Sequence, residues 1–167
     1  MRARRRTKAT ASHGATASTE FEVAVRLVLV DPPAGVDFGI QKGRGSGYET
    51  IAVQQRTRGD ITFDFSLTVR NDRKDGRPNF TGPFAQGPAD GRFVYVDVGT
   101  YAGQKDTPWS RRMKIPLAPI TCAMIEQARR EPGHALLVRI PGKGRDGTPS
   151  CATAKPIGGW EITPIRM

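Results

Sequence analysis

Cysteine and histidine are nearly missing from this chain, with two of each among 167 residues. Cys122 and Cys151 form no Cys-x-x-Cys pair, so the ligand set of a structural zinc site cannot be assembled, and no metal or other cofactor is expected. Without a secretion signal the two thiols are read as reduced, although their count alone leaves one disulfide open. Long apolar runs are lacking as well. The first candidate, residues 21–30, is interrupted by Glu22 and Arg26 and cannot serve as the apolar core of a secretory signal; no membrane partner is expected. No internal repeat is visible. Acid is missing from residues 1–19, which carry Arg2, Arg4, Arg5, Arg6 and Lys8, so half of the net charge of +10 sits in a short leader.

That leader has no apolar side chain larger than alanine between Met1 and Phe21. It cannot bury enough surface to offset the entropy of ordering, and the sequence predicts a disordered basic tail over 1–20 followed by one globular domain over 21–167. An Arg- and Ser/Thr-rich start without acid fits a solvated extension with weak affinity for nucleic acid. It also fits the composition of an organelle transit peptide.

The body reads as strands. Phe21, Val23, Val25, Leu27 and Leu29 recur with a period of two, and the alternate face turns apolar toward Val30, as in a strand entering a covered part of a sheet. Pro32 and Pro33 stop it. Val36, Phe38 and Ile40 form a second short strand. The glycines at 43, 45 and 47 invite a phosphate-loop reading, but Tyr48 to Val53 is β-type where such a loop requires a helix, so the segment is read as a connection between strands. Ile61 to Arg70 alternates cleanly, and Gly59-Asp60 before it suggests a hairpin with residues 49–56. Ile120 to Glu131 is the one convincing helix, with Thr121 as N-cap, Ile120, Met124, Ile125 and Ala128 on one stripe, and Arg129 and Arg130 at its C-terminal end. Strands over 135–140 and near Trp160 to Ile165, with Gly142 to Ser150 between them read as a surface loop, complete a mainly β fold: an antiparallel sandwich or partly open barrel of about eight strands with one packing helix at about 120–131.

Residues 92–98 form the centre of interest. Val94, Val96 and Val98 share one face, while Phe93, Tyr95 and Asp97 share the other, so both faces carry bulk and the strand reads as interior. A buried Asp97 needs a partner, with Arg92 or Arg111 as candidates, and Arg111 is in phase with Met113, Ile115 and Leu117 on the apolar side. Arg92, Arg111 and Arg112 flank this strand near Gln86, Thr100, Tyr101 and Gln104. Guanidinium groups grip carboxylate or phosphate bidentately, so together with Asp97 these residues are the candidate ligand site. The alternative is structural: Arg92 bridges to Asp97 and Arg112 is solvated.

The segments VDPPAGVDFGIQKG (30–43), NFTGPFAQGP (79–88), RFVYVDVGTYAGQ (92–104), WSRRMKIPL (109–117) and DGTPSCATAKP (146–156) resemble a bacterial family catalogued only as a domain of unknown function, over about 23–160. The resemblance implies no activity. It implies a bacterial, cytoplasmic setting, which argues against the transit-peptide reading of the leader.

Three function classes follow. A binding module for a small polar or anionic ligand requires a concave pocket containing Arg92 or Arg111. An enzyme requires a base beside a nucleophile, for instance His134 or Asp97 near Cys151, and without an orienting third group this is the weaker case. A nucleic-acid- or protein-binding accessory role requires the leader together with Tyr48, Tyr101 or Trp109 exposed among arginines.

Overall fold

The computed structural model describes residues 20–45, 47–55, 59–70, 75–88, 92–99, 111–130, 133–142 and 161–166. The leader therefore lies outside the described residues, as do Thr100 to Ser110 and the segment 143–160. Among the described residues nine strands and one helix follow in chain order: β1 (Glu20–Val30), β2 (Asp37–Arg44), β3 (Gly47–Gln55), β4 (Ile61–Arg70), β5 (Asn79–Thr81), β6 (Phe93–Gly99), β7 (Arg111–Pro116), α1 (Cys122–Arg129), β8 (His134–Pro141) and β9 (Glu161–Arg166).

They form two sheets, β5-β4-β1-β8-β9 and β3-β2-β6-β7, and neither closes into a barrel among the described residues. The inner faces follow from the period-two pattern. Val25, Leu27 and Leu29 of β1, Phe63 and Leu67 of β4, and Leu136, Val138 and Ile140 of β8 meet Phe38 and Ile40 of β2, Val94, Val96 and Val98 of β6, and Met113 and Ile115 of β7 in one core. Each such side chain, once fully buried, contributes on the order of 1.5–3 kcal/mol. β1 is flanked on both sides, and Val28 on its second face is buried as well. Its pairing with β4 is antiparallel, whereas that with β8 is parallel (Leu27 beside Val138), the one parallel pair among the described strands.

Two expectations are corrected. Strands β3 and β4 do not form a hairpin: β3 pairs with β2 and β4 with β1, so the chain crosses between sheets around Gly59-Asp60. The true hairpin is β2–β3, where Arg44 pairs with Gly47 and Gly45 adopts a φ of +57°, the left-handed turn geometry that matches strand twist. Gly142, read as part of a surface loop, is instead buried. Its N–H donates to the Val30 carbonyl at 2.7 Å, and a Cβ there would come within 2.6 Å of the Pro32 Cα.

The helix is shorter than predicted but capped as predicted. The Thr121 hydroxyl accepts from the Met124 N–H at 3.3 Å, and Ile125 and Ala128 are buried. Helix α1 lies against β1, β8 and β9, and the Arg129 guanidinium sits 3.6 Å above the Phe21 ring.

Segment 79–88 ties the two sheets together. Phe80 pairs with Val69 of β4, the Pro83 carbonyl accepts from the Gly43 N–H of β2, Phe84 packs on Phe65, and Gln86 exchanges both backbone hydrogen bonds with Phe93. Gln86 thereby fills the place beside β6 that β2 vacates, because β2 and β6 pair only as far as Ile40 and Val96.

Candidate functional site

β6 lies inside its sheet, and the face opposite its valines buries Asp97 to 1% exposure. Strand register explains what surrounds it. Gly39 is its partner on β2, so no side chain stands beside the carboxylate there; Arg112 is its partner on β7. A register shift between Ile40 and Gln41 re-aims β2, and Gln41 pairs with Thr50. Three donors converge on the carboxylate. Gln41 Nε2 donates to Oδ2 at 2.8 Å, Thr50 Oγ1 to the same oxygen at 3.0 Å, and Arg112 Nε to Oδ1 at 3.0 Å.

Among the described side chains the cationic partner of Asp97 is thus Arg112 rather than Arg92, and Arg112 is not simply solvated. It also lies over the Tyr95 ring at 5.1 Å, and Tyr95 in turn stacks on Phe93. The alternation already carried this signal: Arg112 shares parity with Lys114 and faces away from the core, as Asp97 does. Gln41 and Thr50 were missed because the bulge that brings Gln41 to Asp97 leaves no mark in the periodicity. Gln86, buried at 4% exposure, donates from Nε2 to the Gln41 carbonyl at 3.4 Å and so joins the same network.

Arg92 belongs to a different place. It immediately precedes β6, and its Nη1 donates to the Ala85 carbonyl at 3.2 Å while its own carbonyl accepts from the Leu117 N–H. Its Nε is buried without a hydrogen-bond partner, an arrangement that costs about 1–3 kcal/mol. A cavity of about 430 Å³ is lined by Arg77 and Arg92, by Phe80, Leu117 and Ile120, and by the start of α1 at Thr121 and Cys122. Its size falls within the usual range for small-ligand sites. Cys122, half-buried and free, donates from Sγ to the Gly76 carbonyl at 3.0 Å.

The candidate residues are therefore divided between two places. Asp97, Arg112 and Gln86 join the buried network, while Arg92 lines the cavity. Arg111 pairs with Val98 through the backbone of β7, and its side chain lies outside the described residues, as do Thr100, Tyr101 and Gln104. Arg77, Phe80 and Thr121 were missed as cavity residues because the segment that holds the first two is distant in sequence from the start of α1. Of the suggested nucleophile and base, His134 opens β8, half-buried, and Cys151 is outside the described residues. Among the described residues no group of three or more His, Cys, Asp or Glu is placed to hold a metal ion, and no helix is long and apolar enough to cross a membrane.

No curated protein and no solved structure matches this chain. A family model does, over residues 23–163, which takes in both the buried Asp97 network and the Arg92 cavity; the chain belongs to a family of unknown function, DUF5990.

Proposed function

We propose that the protein is a cytoplasmic binding module for a small polar or anionic ligand, taken up in the cavity beside Arg92. The observation that carries this reading is the pairing of that cavity with a guanidinium whose Nε–H is buried and unpartnered. Apolar walls from Phe80, Leu117 and Ile120 exclude water from one side and strengthen polar contacts made on the other. In this reading the Asp97–Arg112 pair is structural: the carboxylate is occupied by three donors and holds β2, β3, β6 and β7 in register. The test is a thermal-shift screen with small metabolites on the wild type and on Arg92→Ala, since a ligand that binds the native state raises its melting temperature. Ligands that shift the wild type and not the variant support the reading. A screen in which nothing shifts the wild type removes it.

A second reading is favoured by one observation. Tyr48 on β3, at the edge of its sheet, is 61% exposed, and Ile51 on the same strand is exposed too. An open aromatic ring together with Arg2, Arg4, Arg5, Arg6 and Lys8 suits weak contact with single-stranded nucleic acid. Retention on such a strand that falls steeply with salt and disappears on deleting residues 1–19 supports this role; retention unchanged by the deletion refutes it.

A further inference from the structure

We infer that the cavity beside Arg92 selects an oxyanion, a carboxylate or a phosphate monoester, carried on an apolar body. The inference rests on the ligand-binding reading above and narrows it to one chemistry. The protein itself shows how its arginines hold such a group. Arg26 grips the Asp64 carboxylate through one edge of its guanidinium, Nε to Oδ1 at 2.8 Å and Nη2 to Oδ2 at 2.7 Å. At Arg92 the opposite nitrogen, Nη1, is tied to the Ala85 carbonyl, and among the described residues no hydrogen bond occupies that same Nε/Nη2 edge. The Nε of this edge is the buried donor without a partner. Two parallel N–H donors in a fixed plane match two oxygens of a carboxylate or phosphate better than any neutral acceptor.

The electrostatics agree. The described lining holds two arginines and no acid, and neither Arg77 nor Arg92 forms an ion pair among the described residues. Of the two carboxylates nearest these arginines in sequence, Asp75 accepts a hydrogen bond from the backbone N–H of Arg77, and Asp90 lies outside the described residues. The first turn of α1 carries no acid either, so its amide end adds to the positive potential over the cavity. Phe80, Leu117 and Ile120 share the lining with the arginines, and this asks for an acid with an aromatic or aliphatic remainder rather than a bare anion.

The experiment compares matched probes on the full chain: 4-phenylbutyrate, phenyl phosphate, and the neutral 4-phenylbutyramide, titrated by calorimetry and followed by thermal shift. Arg92→Lys, which keeps the charge and loses the fork, is measured alongside, with Arg77→Ala as a second variant that leaves the Ala85 contact intact. Saturable binding of at least one acid, absence of binding by the amide, and a weakening of about tenfold or more in Arg92→Lys are expected, as for the loss of one charge-assisted hydrogen bond. Which acid binds assigns carboxylate or phosphate. Equal binding of acid and amide overturns the oxyanion inference and leaves the cavity as a ligand site. The same division follows if neither acid binds while a neutral compound from the wider screen does. If no compound of any charge binds, both fall.

Discussion

Replacing Asp97 by asparagine tests whether a single buried carboxylate holds one half of the sandwich together. The side chain keeps its shape but loses its charge and one of its two acceptor atoms. Whichever way the amide turns, its NH2 group faces a donor, Arg112 Nε on one side or Gln41 Nε2 with Thr50 on the other. Gln41 is only 5% exposed and has no alternative partner in water, so the carboxamide oxygen is expected to stay with Gln41 and Thr50. The Arg112 bond is then the one lost. A hydrogen bond to a charged group is worth about 1.5–3 kcal/mol. The Arg112 side chain is 44% exposed and can rehydrate, which lowers the expected loss to about 1–2 kcal/mol. Asp97→Ala is worse, because it leaves the buried Gln41 donor stranded as well, and about 3–4 kcal/mol is expected. Against a total stability of about 5–15 kcal/mol these are large fractions. At roughly 2–4 °C per kcal/mol for a chain of this size, the asparagine variant melts about 2–8 °C lower and the alanine variant about 6–16 °C lower, readable by calorimetry and urea titration. Adding Gln41→Leu to Asp97→Ala recovers part of the loss, since removing both partners costs less than removing one. An asparagine variant within the error of the wild type would refute the reasoning.

Three further outcomes are expected. Gly142→Ala places a methyl within 2.6–2.7 Å of Pro32 backbone atoms; the chain must shift, at a cost of about 1–3 kcal/mol, seen as a lower urea midpoint with unchanged slope. Thr121→Ala removes the acceptor of the Met124 N–H and costs about 0.5–2 kcal/mol by the same titration. The Arg26 hydrogen bonds and charge hold the Asp64 carboxyl below its ordinary 3.8. A carboxyl with a depressed folded pKa contributes stability above its unfolded value and loses it as pH falls through the folded one. Melting temperatures of wild type and Asp64→Asn therefore differ near neutral pH and begin to converge below about pH 4, and a difference that does not shrink as the pH falls further contradicts the pairing.

Much of the architecture could be read before any coordinates. The alternation in β1, β4 and β6 marks inner and outer faces because burial on one side of a sheet imposes a period of two, and Thr121 marks a helix start because its hydroxyl supplies a local acceptor. These are short-range effects. Strand partnership is not: Gly59-Asp60 signals a change of direction, yet whether β3 turns back on β4 or crosses to another sheet is decided by distant partners. The site divides along the same line. That Asp97 needs a cation followed from desolvation alone, and the parity of Arg112 was available to identify it. The cavity was not legible, because its walls come from the β4–β5 connection, the residue before β6 and the start of α1, which only the assembled sandwich brings together.

The side-by-side run of β1 and β8 has a consequence for how the molecule is made. During synthesis β1, the middle strand of its sheet, leaves the ribosome long before its parallel neighbour β8, so one row of backbone donors and acceptors stays open until β8 emerges. Closure across such a separation is slow, and a waiting apolar ribbon is a site for association with other chains. Refolding from urea should then be slow for a protein of this length, with yields that fall as concentration rises, and products truncated before His134 should accumulate as aggregates rather than as soluble fragments.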